Sequence, residues 1–240
     1  MVVAISMGCC YDLGLSIQDR IRFIQKYASL IDGIELLFAL PKNLLDFEFE
    51  EDTLNFVKSL KFKSLHMPFK DIQYDNKRES NKLIEKASFL AKQVAIEHII
   101  FHPNTIKDYN SLDNQMINCI ENLNQKPENT GFCTIKEIEL ILDKNPSLKF
   151  VLDACHALEN NIEPTDFLKF ENKLVEIHLS AQWIKKGNLR AHGFLTEANQ
   201  EQLTKLKPIL KLDKPKIIEA DFYPYKMPLI EKEIDLIKRG

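Results

Sequence analysis

No G-x-G-x-x-G segment occurs anywhere in the 240 residues, which removes the usual backbone cradle for a dinucleotide pyrophosphate. No Ser–His–Asp set carries a nucleophile elbow, so covalent catalysis by serine has no footing. No window approaches the roughly 18 apolar residues of a membrane-spanning helix. The apolar N-terminus, "MVVAISM", is short and has no basic residue ahead of it; it reads as a first strand, not a secretion signal. Positive charge is not in excess either. The 32 Lys+Arg stand against 35 Asp+Glu, a formal net charge of −3, so nothing draws the whole chain to nucleic acid or an anionic membrane. The five cysteines, at 9, 10, 119, 133 and 155, are odd in number and follow no regular framework. Reduced thiols and a cytoplasmic setting are the expectation.

What is present is an ordinary globular balance, 45% hydrophobic and 28% charged residues, without a long Pro/Gly/Ser linker or a low-complexity block. Two patterns alternate along it. Short apolar runs read as buried strands: "VVAISM", "GIELLF", "SLHMP", "HIIFHP", "KFVLDA", "LVEIHLS" and "KIIEAD", with a weaker fifth strand, "QKPENT", between the fourth and the next. Between them lie stretches with helical spacing, such as "SIQDRIRFIQKYASL", where Ser16 is a plausible N-cap, and "SLDNQMINCIENL". About eight strands alternating with about eight helices specify an α/β fold of the (β/α)8 barrel type, one domain over 1–240. A doubly wound open sheet is the competing layout, disfavoured by the strand count and the missing phosphate loop.

Barrels of this type build their sites at the carboxyl ends of the strands, and those ends are where the unusual residues fall. His66 ends the third run and His102 the fourth. Glu128 ends the weak fifth, Asp153 the sixth with His156 just beyond, His178 the seventh and Glu219 the eighth; His192 lies in the loop after the seventh. Five of the six histidines therefore sit at strand ends or just beyond, and only His98 starts a strand. One buried histidine is ordinary; five at equivalent ends, joined by three carboxylates, are the donor set of a divalent metal. Cys155, between Asp153 and His156, is expected to point away as a packed thiol, as are Cys9 and Cys10. Glu35 in "DGIELLF" either faces the mouth or is structural. Lys185, Lys186 and Arg190 in "WIKKGNLRAHG" form either a phosphate-binding loop or a solvated basic one. Phe69 is a stacking platform or a loop anchor.

Together these residues resemble the superfamily of endonuclease IV and xylose isomerase-like barrels. "DACHAL" is close to the D-T-C-H-A-F motif of endonuclease IV, and "ENTG" and the histidines ending strands three and four accompany it. The resemblance implies a cluster of two or three ions, zinc above all. His66, His102 and Glu128 would hold the first; Glu128 would bridge to a second completed by Asp153, His178 and Glu219; His156 and His192 would hold a third. The third site departs from the family's pattern, because Arg190 stands where an aspartate is expected. The activity implied is hydrolysis of a phosphodiester in duplex DNA 5′ to an abasic site, with Glu128 and Glu219 as catalytic carboxylates and Phe69, Lys186 and Arg190 near the substrate. The alternative is a sugar or sugar-phosphate isomerase or epimerase. It would carry one Mn²⁺-like ion on Glu128, Asp153, His178 and Glu219, with Glu128 and Glu219 as the acid–base pair. A barrel that binds metal or sugar without turnover is the third reading. No obligate protein partner is expected.

Overall fold

Strands that are apolar on both faces need cover on both, and this chain supplies it by closing them into a ring. The computed structural model describes residues 1–113, 115–185 and 188–240. Its strands are β1 (Val3–Ser6), β2 (Gly33–Leu37), β3 (Phe62–His66), β4 (His98–Phe101), β5 (Ile117–Glu121), β6 (Lys149–Asp153), β7 (Leu174–Leu179), β8 (Ala181–Lys185), β9 (Asn188–Gly193) and β10 (Lys216–Ile218). All but β8 and β9 are parallel members of one closed barrel. β1 closes it, pairing Ala4 with Gly33 on one side and Val3 with Lys216 on the other. β8 and β9 form a separate antiparallel hairpin at the end of β7. The (β/α)8 expectation holds.

The outer layer consists of α1 (Ile17–Gln25), α2 (Pro41–Leu45), α3 (Glu51–Ser59), α4 (Arg78–Val94), α5 (Ile135–Lys144), α6 (Ala154–Glu159), α7 (Gln200–Leu210) and α8 (Ile230–Arg239). Their boundaries follow local chemistry. Ser16 accepts from the amide of Asp19 and starts α1, whose Ile21 and Ile24 are buried. Thr134 and Glu137 form a reciprocal capping box at α5. Among the described residues no helix is long and apolar enough to cross a membrane.

The fifth barrel strand lies elsewhere than the sequence pattern suggests. "SLDNQMINCIENL" has apolar residues at Leu112, Met116, Cys119, Ile120 and Leu123, a spacing that mimics a helix. Its centre is instead β5, paired with β4 at Ile99↔Asn118 and with β6 at Ile120↔Phe150. The expected strand "QKPENT" cannot donate a ladder hydrogen bond at Pro127; Pro127–Asn129 is a 3₁₀ turn. Among the described residues, the connection from β4 to β5 accordingly contains 3₁₀ turns and no α-helix. Two further features are smaller: Pro164–Phe170 is 3₁₀, and the basic loop after β7 is the β8–β9 hairpin.

Candidate functional site

His66 is the last residue of β3, Glu121 of β5 and Asp153 of β6; His102 and Glu219 each follow directly on their strands, and His178 is the next-to-last residue of β7. Parallel pairing puts all six at one end of the barrel. Asp153 also caps α6, accepting from the amide of His156 at 2.7 Å, which is why the carboxylate and imidazole of "DACH" are neighbours in space. Asn122 locks that corner. Its amide donates to the carbonyl of Asp153 and its oxygen accepts from the Asp153 N–H, both at 2.8 Å.

Glu121, fully enclosed at the centre, was not anticipated, and it corrects Glu128. Glu128 lies on the exposed 3₁₀ turn at the outer edge of the cavity and belongs to none of the compact ligand groups. The signals that pointed to it were the weak strand "QKPENT" and the "ENTG" motif; their Glu-Asn dipeptide also occurs seven residues earlier, at 121–122. Of these two copies, only the earlier follows an apolar run that can be a strand. One oxygen of Glu121, Oε2, is 3.2 Å from His66 Nε2 and 3.4 Å from His102 Nε2. The other, Oε1, is 3.2 Å from His178 Nδ1, which is itself 3.4 Å from Glu219 Oε2.

The proton inventory tests whether these residues suit cations. His66 Nδ1 is 3.0 Å from the carbonyl of Met67, a group that only accepts, so Nδ1 carries the hydrogen. In the neutral ring Nε2 is then a lone pair facing a carboxylate oxygen. Below His178, Nε2 is 3.0 Å from Glu176 Oε1 and 3.1 Å from Glu35 Oε2. Its Nδ1 faces Glu121 and Glu219, so both ring nitrogens meet carboxylate oxygens, and against burial those carboxylates push the imidazole well above its ordinary pKa. Asp153 Oδ2 is buried and has no hydrogen-bond partner. Acceptors converging on acceptors out of water require a positive charge between them, and divalent ions fit.

In the metal-free protein protons fill this role. Burial alone would lower His66, but Glu121 and Glu35 push it up to about 9. Burial holds His102 down at about 4 and raises Asp153 to about 7. Glu121 stays well below the usual carboxylate range despite its burial, because His178, His102 and His66 surround it. Against burial, His178 likewise holds Glu219 down at about 2.

Among the described residues the ligand atoms gather in three compact groups: His66, His102 and Glu121; Glu121, Asp153, His178 and Glu219; and Glu35, Glu176 and His178. The first two share Glu121. The third is the carboxylate layer beneath His178, extended by His98, whose Nε2 is 3.0 Å from Glu176 Oε2, and by Ser6, which donates to Glu35 at 2.5 Å. Glu35 is therefore buried in this layer, away from the mouth. His156 and His192 belong to none of the groups; their rings lie 5.8 Å apart. His156 Nδ1 bonds the carbonyl of Asn122 at 3.0 Å, leaving Nε2 free. They stand as a two-histidine set, and Arg190, at the position where the resemblance expects a further carboxylate, is exposed on β9, outside the cavity lining. Lys186 lies outside the described residues. Cys9, Cys10 and Cys155 are buried thiols, with Cys9 donating to the carbonyl of Ile218.

Above these groups opens a cavity of about 440 Å³, within the usual size range of small-molecule sites. Phe69 stands in its wall, stacked on His102 with centroids 4.4 Å apart and edge-on to His66 at 5.5 Å.

No protein-family model matches the chain, and no curated protein matches it by sequence. Solved structures do share its fold. The probable 3-DHS dehydratase AsbF of Bacillus anthracis superposes with a TM-score of 0.70 at 16% identity, over 99% of both chains. Endonuclease IV of Thermus thermophilus gives 0.68 at 12% identity, over 100% of this chain and 99% of that one. The D-allulose 3-epimerase of a Methylomonas species, in complex with D-allulose, gives 0.66 at 14% identity, over 100% and 96%. The chain has the barrel fold of xylose isomerase-like proteins, and that fold carries more than one chemistry.

Proposed function

We propose that this protein is a divalent-metal phosphoesterase in which Glu121 is shared by two ions. His66 and His102 would complete one site, and Asp153, His178 and Glu219 the other. The ions, once bound, lower the pKa of a water molecule and neutralise charge on a phosphoester. The observation that carries the reading is the division of Glu121, one oxygen facing His66 and His102 and the other facing His178. A one-ion isomerase would use His66 and His102 only to contact substrate.

The remaining residues have roles the geometry allows. Glu35 and Glu176 take the Nε2 hydrogen of His178 and so leave its Nδ1 for a ligand bond. His156, fixed by its Nδ1 bond to Asn122, can hold a phosphoryl oxygen or return a proton through Nε2 to the departing oxygen. His192, with Nδ1 3.5 Å from Ser180 Oγ, stands across from it.

A sugar isomerase or epimerase with one ion on Glu121, Asp153, His178 and Glu219 is the second reading. The compact cavity favours it, as an open groove would not. One experiment separates the two. Metal-loaded protein is given a duplex with a synthetic abasic site, small phosphate esters, and ketoses with their phosphates, with Glu121→Gln as control. Phosphoester cleavage lost in the variant supports the phosphoesterase. Exchange of solvent hydrogen into a ketose without cleavage supports the isomerase and overturns it.

A further inference from the structure

Above the ion-binding histidines the cavity wall continues as a ladder of rings and cations. Phe69 lies on His102. Lys70 Nζ is 5.7 Å from the Phe69 ring and 5.1 Å from the ring of Tyr11, and the Arg20 guanidinium is 5.0 Å from Tyr11. Tyr11 sits on the turn after β1 and lines the cavity. It is 42% exposed. A large aromatic side chain left open beside a polar pocket, with cations already at its ring, suits a ligand that has a flat face and polar edges.

The rest of the lining limits how large that ligand can be. Outside the proposed ion ligands, its Lys and acidic residues are Lys70 and Lys126 against Asp12, Glu128 and Asp221. Among the described residues that mixture offers no basic track. A duplex is held through many phosphates by rows of Lys and Arg, over about 1,000 Å² of protein surface or more. The chain as a whole is acidic. A mononucleotide or sugar phosphate needs only one pocket.

Resting on the phosphoesterase reading, we propose that the substrate is a small phosphate ester carrying a ring, of nucleotide or sugar-phosphate size. Its phosphate meets the histidine and carboxylate floor, and its ring lies along Phe69 and Tyr11, with Lys70 donating to the ring's polar edge. In the reaction water oxygen bonds to phosphorus and the P–O bond to the ring-bearing alcohol breaks. The departing oxygen takes a proton. The products are the alcohol and inorganic phosphate, and nothing is oxidised or reduced.

The test is calorimetric titration of wild type, Tyr11→Ala and Lys70→Ala with adenosine 5′-monophosphate, ribose 5-phosphate and an abasic duplex. Phosphate release by the metal-loaded protein is followed in parallel. Tyr11 and Lys70 are exposed, so both variants are expected to fold. The small esters should bind and release phosphate while the duplex does neither. Loss of the Tyr11 ring should weaken nucleotide binding by about tenfold, in keeping with base stacking on an aromatic side chain. A similar loss for ribose 5-phosphate would point to the sugar; a loss confined to the nucleotide would point to the base. Preference for the duplex, or small-ester affinities unchanged in both variants, would overturn the proposal. If the small esters bind through Tyr11 but no ester of any kind is cleaved, the phosphoesterase reading fails and the rim assignment stands.

Discussion

His178 stands between two layers of carboxylates, Glu121 and Glu219 at Nδ1, Glu35 and Glu176 at Nε2. With an ion at Nδ1, the carboxylates at Nε2 would hold the hydrogen left on the ring. Replacing Glu176 by Gln leaves a weaker and less decided partner, so metal affinity should fall by roughly 10–100-fold, the usual range for such supporting groups. Competition with a chelating dye measures it; an unchanged affinity would show that Glu35 alone orients the ring. A second buried carboxylate acts on stability instead. Glu233 in α8 accepts from the amides of Leu195 and Thr196, just past the hairpin that carries His192. Burial raises its carboxyl to about 7, against those hydrogen bonds. A folded-state pKa above the unfolded one stabilises the protein at low pH, and the contribution disappears as pH rises through 7. It amounts to about 3 kcal/mol at most. Urea midpoints should therefore fall more between pH 5.5 and 8.5 in wild type than in Glu233→Gln, and parallel slopes would contradict this.

At the scale of elements, strands decide the site because a ligand is placed by the strand that ends in it. Gly33 of β2 faces Phe62 of β3 so closely that an added Cβ would lie 2.5 Å from the Phe62 carbonyl oxygen. Backbone cannot step aside as a flexible side chain can. Gly33→Ala should lower stability by about 1–3 kcal/mol, read as a shift in the urea midpoint; an unshifted midpoint would mean the strands separate freely. The same dependence on strands explains what the sequence made legible. β3, β4, β6, β7 and β10 are apolar runs closed by a polar residue, so His66, His102, Asp153, His178 and Glu219 could be read from pattern alone. β5 could not. Its "INCIE" lies in a stretch with helical spacing, and Asn118 breaks its apolar character by bonding back to the carbonyls of Asp113 and Met116. Misplacing that one strand moved the central carboxylate from Glu121 to Glu128. The Glu35–Glu176–His98 layer was also hidden, since contacts inside a barrel join residues far apart in sequence.

For the whole molecule, the closed barrel concentrates histidines and carboxylates in a core that cannot hydrate them, and only bound cations or protons make that arrangement tolerable. The alternation of strands and helices gave this architecture away, whereas the grouping of candidate ligand atoms depends on side-chain geometry that a linear pattern does not contain. Glu121 is the residue on which the account turns. The most direct measurement is the metal stoichiometry of wild type, Glu121→Gln and Glu128→Gln, each dialysed against Zn²⁺ and Mn²⁺ and analysed for bound metal per chain. Two ions in wild type, two in Glu128→Gln and one or none in Glu121→Gln are the predicted result. One ion in wild type, or two retained without the Glu121 carboxylate, would contradict the shared-carboxylate centre.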